Sequence, residues 1–255
     1  MRLYAEISDN LPLCEGIYKM GIFAPEAAKA AKPGQFVHIA MPDGAKILRR
    51  PISICDVEGD RLIVVYAVRG GGTKILSELT PGLFLDVLAP LGRGFELGEC
   101  ESIAAVGGGI GIFPLLYALK KSPAKKKAAF LGFRDSSTAI MLGEFGKAAE
   151  LNIATEDGSL GQKGFVTDSL REKIGGFDSV IACGPEPMLR AVNSLCASQG
   201  IDPEISVEER MGCGLGGCLV CACAVKDGEN GHDYAHVCTD GPVFRGSKLV
   251  WEVEA

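Results

Sequence analysis

Several features common in other protein classes are missing from this sequence. Residues 1–10 contain no apolar signal core, and the chain has no internal repeat and no long low-complexity tract. Ten cysteines among 255 residues are too few for a disulfide scaffold, in which roughly 8–10% of the residues are cysteine. We therefore expect a cytoplasmic protein from a reducing compartment, where disulfides are disfavoured.

An excess of basic residues is also missing. The chain has 26 Lys and Arg residues against 32 Asp and Glu residues, which gives a formal charge of -6 and disfavours a nucleic acid as partner. The uncharged stretch 102–119 approaches the length of a membrane helix, but glycines and Pro114 interrupt it. We therefore expect no membrane span.

The chain does contain a normal share of core-forming residues, and they follow two different rhythms. Hydrophobic residues make up 47% and charged residues 23%, which excludes wholesale disorder, and the length predicts two or three domains. Up to residue 90, short β-branched and apolar runs alternate with Gly, Pro and Asp turns, which is typical of an antiparallel barrel or sandwich. From 102 to 208, strands alternate with helices, which predicts a parallel sheet.

A third zone at 211–238 is rich in Gly and Cys and has little periodicity, so we expect a bound ligand to hold it together. The predicted fold is therefore multi-domain. It consists of an antiparallel β-barrel domain at 1–98, an α/β parallel-sheet nucleotide-binding domain at 99–205 and a small Cys-rich domain at 206–255.

Five of the ten cysteines fall between Cys213 and Cys238. Cys213, Cys218 and Cys221 have the C-x4-C-x2-C spacing of plant-type 2Fe-2S ferredoxins, and Cys238 supplies a fourth thiolate. Such a cluster needs four thiolates on two irons, and the intervening glycines allow the backbone to direct N–H groups at the sulfurs. These four cysteines are the predicted metal ligands, and Cys223 is predicted to be a structural thiol.

Two other metal sites use similar residues. Zinc favours two pairs of cysteines with short spacers, and only Cys218 and Cys221 form such a pair. His232 and His236 lie near Cys238 and could replace cysteines as in a Rieske centre, although incidental histidines in a polar loop are the simpler interpretation. The spacing leaves both alternatives open.

Two glycine-containing turns predict a nucleotide site. The first turn follows an apolar strand and opens a helix, so its N–H groups and the helix dipole can hold a pyrophosphate. It contains Gly107, Gly108, Gly109 and Gly111. The second turn has the same position after a later strand and consists of Cys183, Gly184 and Pro185. Two turns at adjacent strand ends of a parallel sheet should form a cleft.

The β-rich half carries a second candidate diphosphate site. The segment Arg50-Pro51-Ile52-Ser53 starts a strand, and Gly72 and Thr73 belong to the start of a helix. A guanidinium beside a helix N-terminus suits a diphosphate, and the hydroxyl of Ser53 suits the edge of a heteroaromatic ring. Arg50 alone is equally compatible with a surface ion pair.

With these motifs in this order, the chain resembles the ferredoxin-NADP reductase superfamily over essentially its whole length. Within it, the chain looks like the electron-transfer subunits of NAD-dependent, heteromeric (class 1B) dihydroorotate dehydrogenases. The resemblance implies FAD, a 2Fe-2S cluster and NAD as cofactors, with Arg50 on the FAD pyrophosphate and Ser53 on the isoalloxazine. The residues implied to bind FAD are Arg50, Pro51, Ile52, Ser53, Val65, Tyr66, Ala67, Gly72 and Thr73. Those implied to bind NAD are Gly107, Gly108, Gly109, Gly111, Cys183, Gly184 and Pro185, and the implied cluster ligands are Cys213, Cys218, Cys221 and Cys238.

The resemblance also implies a function. A flavin-containing catalytic subunit would oxidise dihydroorotate in pyrimidine biosynthesis, and electrons would pass through the cluster and FAD to NAD+. The implied assembly is a heterotetramer with two copies of each chain. NAD is favoured over NADP because Asp135, beside Arg134, would repel a 2′-phosphate.

Two alternative functions stay open. Subunits of ferredoxin- or sulfur-linked NAD(P)H oxidoreductases share this layout, so the substrate is less constrained than the cofactors. From a different class, a zinc-stabilised nucleotide-binding regulatory module would also need cysteines and glycine turns.

Overall fold

The computed structural model describes residues 1–42, 44, 46–228 and 231–251, and the first part of the chain forms a barrel. Its strands are β1 (Arg2–Cys14), β2 (Ile17–Phe23), β3 (Phe36–Ile39), β4 (Arg50–Glu58), β5 (Arg61–Ala67) and β6 (Phe84–Leu91). They close in the order β1-β2-β5-β4-β3-β6, and every adjacent pair is antiparallel. The expected antiparallel barrel is confirmed.

Alternation along the strands fills the barrel interior with apolar side chains such as Ile7, Ile54 and Leu62, since successive residues point to opposite faces. Two short helices lie in the connections: α1 (Pro25–Ala30) and α2 (Gly71–Glu78). Proline at the start of α1 is favourable because the first turn of a helix has no use for the missing N–H.

Strand β3 differs from the others because all four of its residues are buried. Val37 and Ile39 belong to the barrel core, whereas Phe36 packs into a second core with residues of the Cys-rich segment. His38 contacts the same segment at Gly214. Strand β3 is therefore covered by the barrel on one face and by the Cys-rich segment on the other.

The second part is a seven-stranded sheet with helices on both faces. Its strands are β7 (Ser102–Gly108), β8 (Lys126–Phe133), β9 (Glu150–Thr155), β10 (Gln162–Lys163), β11 (Ser179–Cys183), β12 (Glu204–Ser206) and β15 (Val243–Arg245). The strands β13 (Ala222–Asp227) and β14 (Gly231–His236) lie between β12 and β15 in the sequence and form a separate hairpin. The order is β10-β9-β8-β7-β11-β12-β15, and only β15 is antiparallel. The helices are α3 (Phe113–Lys121), α4 (Leu142–Ala148), α5 (Val166–Lys173) and α6 (Glu186–Ser198). Short 3-10 turns lie at Gly109–Ile112, Ser136–Thr138, Ile174–Gly176 and Gly246–Lys248.

The uncharged stretch 102–119 is divided between the buried strand β7 and helix α3, as its glycines suggested. In the described residues, no helix combines the length and the apolar character needed to cross a lipid bilayer.

The Cys-rich segment leaves the sheet after β12 and returns to it as β15. Between these strands the chain forms the cysteine loop and the β13–β14 hairpin. Neither the hairpin nor β15 was expected from the sequence, because the segment has little periodicity. Since β15 belongs to the parallel-sheet domain by pairing and to the Cys-rich segment by sequence, the boundary at 205/206 stays a prediction.

Side chains of α3 fix the barrel against the sheet domain. The hydroxyl of Tyr117 donates to the carbonyl of Ala31 at 3.0 Å, and Lys120 forms an ion pair with the buried carboxylate of Asp56. These contacts hold the two predicted cofactor-binding domains in one relative position.

Replacing Tyr117 with phenylalanine should test this junction. The substitution leaves the buried carbonyl of Ala31 without its partner, so we expect the free energy of unfolding to fall by about 1–3 kcal/mol. The measurement is the thermal and urea unfolding of both proteins. Tyr4→Phe, at a residue that is 70% exposed, is the control and should have no effect. Equal losses in the two variants would show that the buried hydrogen bond does not stabilise the junction.

Candidate functional site

The first predicted site lies where β4 meets α2. A Cβ atom on Gly72 would come within 2.3 Å of Nε of Arg50, so the guanidinium lies directly on the first turn of the helix. The hydroxyl of Thr73 accepts the backbone N–H of Arg69 at 2.9 Å and that of Gly70 at 3.3 Å. The guanidinium and the helix N-terminus thus place two positive features side by side, as a diphosphate requires. The surface ion pair considered for Arg50 does not form among the described residues; its neighbour Arg49 pairs with Asp86 instead.

The remaining residues of this site lie on two neighbouring strands. Pro51 pairs with His38 and Ser53 pairs with Phe36 across β3 and β4, and Ser53 is half-buried. Val65 is buried on the side facing the sheet domain, and Ala67 is half-buried at the end of β5. Tyr66 instead turns its ring into the barrel core, where its hydroxyl donates to Asn10 at 3.0 Å. Its place beside the flavin stays a prediction.

The two glycine turns interlock at the carboxyl ends of adjacent strands. Gly107 pairs with Cys183 in the parallel register of β7 and β11. A Cβ on Gly111 would lie 2.5 Å from the carbonyl oxygen of Cys183 and from Cα of Gly184. Gly109 has a positive φ of +55°, and no atom lies within 4 Å of its Cβ position. The two turns are therefore in direct contact, and the space around Gly109 is open.

The charges near the two glycine turns favour NAD over NADP. Asp135 follows β8, next to the first turn; hydrogen bonding from the hydroxyl of Ser137 lowers the pKa of its carboxyl, so the group is ionised at neutral pH. Arg134 forms an ion pair with it, Nε to Oδ2, at 3.3 Å. An ionised carboxylate at this position repels a 2′-phosphate. Cys183 stays a neutral thiol, because burial raises its pKa to about 12.

The four predicted ligand cysteines form two neighbouring pairs. The backbone N–H of Cys213 donates to Sγ of Cys218 at 3.3 Å, and the thiols of Cys221 and Cys238 hydrogen-bond to each other. The N–H of Gly216, between the first two cysteines, donates to Sγ of Cys238 at 3.2 Å and links the pairs. Two thiolates for each of two irons is the arrangement that a 2Fe-2S cluster needs.

Backbone N–H groups further prepare these sulfurs for metal binding. The N–H of Leu215 donates to Sγ of Cys213 at 3.3 Å, and this bond is the main reason why the pKa of Cys213 is lowered to about 7. Burial acts in the opposite direction on Cys238 and raises its pKa to about 11. Because thiolates are the ligands and N–H groups stabilise them, the residues present fit an iron-sulfur cluster.

The other candidate metal donors lie apart from the four cysteines. Among the described residues, no group of three or more His, Cys, Asp or Glu side chains is placed to hold one metal ion. The ring of His232 meets that of Tyr234 edge to face, and His236 faces Asp240, so neither histidine joins the thiols. Cys223 lies on β13 opposite Ala235, where burial raises its pKa to about 11.

A cleft of about 510 Å³ lies between the barrel motif and the chain leading into the cysteine loop. It is lined by Arg50 and Pro51 on one side and by residues 208–211 on the other, and partial burial raises the pKa of Glu209. A larger groove of about 770 Å³ near α1 contains none of the predicted site residues.

Neither Glu209 nor His38 was singled out from the sequence, because no motif marks them.

Comparison with known proteins identifies relatives along the whole chain. Residues 208–250 match the model of the iron-sulfur cluster binding domain of dihydroorotate dehydrogenase B. A dihydroorotate dehydrogenase B (NAD(+)) electron transfer subunit from Caldanaerobacter subterraneus is 39% identical over 98% of this chain and 99% of its own length. The subunit of the same name from a Geobacillus species is 40% identical over 94% of this chain and 95% of its own length.

Solved structures show the same architecture. An NADH-dependent reduced ferredoxin-NADP oxidoreductase, studied for flavin-based electron bifurcation, superposes with a TM-score of 0.86 at 30% identity over 98% of this chain and 90% of that chain. A ferredoxin NADP+ reductase from Neisseria gonorrhoeae with bound FAD and NADP has a TM-score of 0.69 at 15% identity over 81% of this chain and 99% of that chain, which shows the shared fold alone.

The contact between the two glycine turns can be tested by adding one methyl group. Gly111→Ala places a Cβ 2.5 Å from the backbone of the second turn, so the turns must separate, and we expect a loss of about 1–3 kcal/mol of stability. Thermal unfolding measures the loss, and amide hydrogen exchange at 107–111 and 183–184 should become faster. The control is Gly143→Ala, because this exposed glycine of α4 has no atom near its Cβ position. An unchanged exchange rate in Gly111→Ala would refute the interlocking of the turns.

Proposed function

Since this chain belongs to the family of dihydroorotate dehydrogenase B (NAD(+)) electron transfer subunits, we propose that it carries electrons from a dihydroorotate-oxidising partner subunit to NAD+. It is a flavin and iron-sulfur oxidoreductase subunit with FAD, a 2Fe-2S cluster and NAD as cofactors. The observation that carries the proposal is the packing of Cys221 and Cys238 in one core with Phe36 of β3, the strand that neighbours the Arg50 motif.

The three cofactors divide the chemistry between them. When bound, the cluster supplies one-electron transfer, FAD converts between single electrons and a hydride, and NAD+ accepts the hydride. The chain's own residues hold these groups in place. Because dihydroorotate would be oxidised on the partner, this chain needs no acid or base of its own for that substrate.

We assign the flavin site to the junction of β4, β5 and α2. Arg50 and the N-terminal turn of α2, with Gly72 and Thr73, hold the diphosphate through positive charge and N–H groups. Pro51, Ile52, Ser53, Val65, Tyr66 and Ala67 border the ring system from the two strands. The cleft beside Arg50 and Pro51 provides space on the side of the cysteine loop.

The NAD site is assigned to the two interlocking turns. Gly107, Gly108, Gly109 and Gly111 receive the pyrophosphate, since Gly109 leaves its surroundings open. Cys183, Gly184 and Pro185 lie beside the nicotinamide, and Cys183 contributes a neutral thiol. The metal ligands are Cys213, Cys218, Cys221 and Cys238. The proposed domains are 1–98 for FAD, 99–205 for NAD and 206–255 for the cluster.

The cysteine loop offers a suitable face to the partner. Leu215, Leu219 and Val220 are 62%, 59% and 56% exposed, and Cys218 beside them is exposed as well. Apolar side chains around an accessible cluster ligand suit a protein that must approach closely to exchange electrons. We also place the chain in the cytoplasm, because the six cysteines that are not assigned to the cluster are free thiols, which suits a reducing compartment.

The ferredoxin-linked alternative has support from one comparison. The ferredoxin-NADP oxidoreductase has 30% identity over 98% of this chain, but the dihydroorotate dehydrogenase subunits reach 39–40% over nearly their full length. Dihydroorotate is therefore the better supported substrate of the partner. The zinc-stabilised regulatory module is not supported, since the cysteines form two pairs and the family is one of electron-transfer subunits.

Loss of the Arg50 guanidinium should weaken FAD binding. We expect Arg50→Gln to raise the dissociation constant of FAD by about tenfold to a hundredfold, because a charged hydrogen bond contributes about 1.5–3 kcal/mol. Flavin fluorescence during titration of the apoprotein measures the constant. Arg2→Gln is the control, since the guanidinium of Arg2 binds Asp86 on the barrel surface. Equal FAD affinity in both variants would place the diphosphate elsewhere.

The electron-transfer function is tested with a matched pair of cysteine variants. Cys221→Ser should lose the cluster iron and reduce dihydroorotate-dependent NADH formation to background in the complex with the partner. The same variant should keep FAD and the reduction of an artificial dye by NADH, because these need no cluster. Cys223→Ser, two residues away, should keep both irons and the full coupled rate. Coupled activity in Cys221→Ser, or loss of iron in Cys223→Ser, would contradict the assigned ligands.

A further inference from the structure

His38 is a buried histidine that the proposed function leaves unexplained. It lies on β3 with 0% of its surface exposed, and neither ring nitrogen has a partner at full hydrogen-bond geometry among the described residues, although the backbone of Cys213 and that of Arg49 lie beside the ring. Buried polar groups without partners are rare in folded proteins and call for an explanation. An apolar residue at this position would bury the same surface without two unpaired nitrogens.

The imidazole is in close contact with the cysteine loop. A Cβ atom on Gly214 would lie 2.5 Å from Nδ1 of His38 and 3.2 Å from its Cε1. Gly214 has a φ of +73°, a conformation that favours glycine, and it directly follows the ligand Cys213. The ring thus occupies the space that a side chain at 214 would take, and Nδ1 is the nitrogen that faces the turn.

The same residue is fixed to the flavin side of the barrel. His38 pairs with Pro51 of the flavin motif across β3 and β4. The carbonyl of His38 accepts a hydrogen bond from the guanidinium of Arg49 at 3.3 Å, and that guanidinium also binds Asp86. The backbone of His38 therefore cannot shift without disturbing the strand that begins the flavin site.

Phe36 and His38 hold different parts of the cysteine loop. Phe36 packs in one core with Cys221 and Cys238, whereas His38 contacts the turn at Gly214. Phe36 provides only apolar contact, but His38 brings a nitrogen that can hydrogen-bond to the backbone of the turn. The turn also carries the N–H groups of Leu215 and Gly216, which donate to Sγ of Cys213 and Sγ of Cys238.

We propose that His38 is a positioning residue for the iron-sulfur cluster: its Nδ1 supports the Cys213–Gly214 turn and thereby keeps the N–H groups of that turn aimed at the cluster sulfurs. The proposal rests on the assignment of Cys213 and Cys238 as ligands. Hydrogen bonds to the sulfurs stabilise the reduced, more negative cluster and so raise its reduction potential. A displaced turn would weaken these bonds and lower the potential.

The test uses the complete complex and three variants of His38. His38→Leu removes both nitrogens, His38→Asn retains an amide near the position of Nδ1, and His38→Gln retains one near the position of Nε2. Redox titration followed by electron paramagnetic resonance measures the cluster potential. His232→Leu is the control, because His232 is exposed on the β13–β14 hairpin.

We expect His38→Leu to lower the reduction potential of the cluster by about 59 mV. This change corresponds to a tenfold shift, towards the oxidised cluster, of its equilibrium with a one-electron mediator. The altered turn should also change the resonance spectrum. His38→Asn should restore most of the potential and His38→Gln should not. FAD content and the rate of flavin reduction by NADH should stay unchanged, which shows that the barrel is intact.

An unaltered potential and spectrum in His38→Leu would overturn the proposal, and so would restoration by Gln but not by Asn. If His38→Leu does not fold, the Asn and Gln variants decide the question by themselves. If the unmodified complex contained no iron, the proposed cluster assignment itself would be wrong. That result differs from an unaltered potential in His38→Leu, so the two failures are distinguishable.

Discussion

The burial of strand β3 on both faces is the constraint on which the arrangement of the sites depends. In a barrel, a strand ordinarily turns one face to the interior and the other to solvent. Here Val37 and Ile39 fill the interior, while Phe36 and His38 support the cysteine loop from outside. Because β4 with the flavin motif is the hydrogen-bonded neighbour of β3, the pairing of two strands brings the flavin site next to the cluster site.

The Cys-rich segment can rest on the barrel because both of its ends are fixed to the other domain. It leaves from β12 and returns as β15, which pairs antiparallel with the same strand. Glu204 of β12 is buried and accepts the backbone N–H of Glu96 at 2.7 Å, and it forms an ion pair with Arg245 of β15 at 3.4 Å. A segment with little regular structure of its own is thereby anchored between two domains.

The periodic strands and helices could be predicted from the sequence, and the site residues assigned from motifs stay a prediction. The barrel, the parallel sheet and the meeting of the two glycine turns follow from alternation and from the position of glycines after strands. The contact between Arg50 and Gly72 was likewise expected, as both suit one diphosphate. These features are local or follow from general rules of sheet topology.

The features that were not predicted depend on contacts between distant parts of the chain. Strand β15 and the β13–β14 hairpin show no clear alternation of apolar and polar residues. Strand β15 forms by pairing with β12, and the two hairpin strands form by pairing with each other. His38 lies in an apolar run that predicts a buried strand, but nothing in that run shows which segment covers its outer face. Tyr66 lies beside the predicted flavin residues in sequence, yet alternation directs its ring into the barrel.

The exposed apolar side chains proposed to meet the partner are not the groups that hold the cofactors, although some of them share a loop with the proposed cluster ligands. The residues assigned to FAD, NAD and the cluster are held by glycine turns, strand ends and backbone N–H groups, which leave little freedom for change. The apolar side chains around Cys218 make no such contacts and face solvent. A relative that receives electrons from another donor can therefore keep the same cofactor sites, and the fold common to this chain and the ferredoxin-NADP oxidoreductase agrees with that separation. The surface proposed for the partner can therefore vary without a change in the flavin or nucleotide sites.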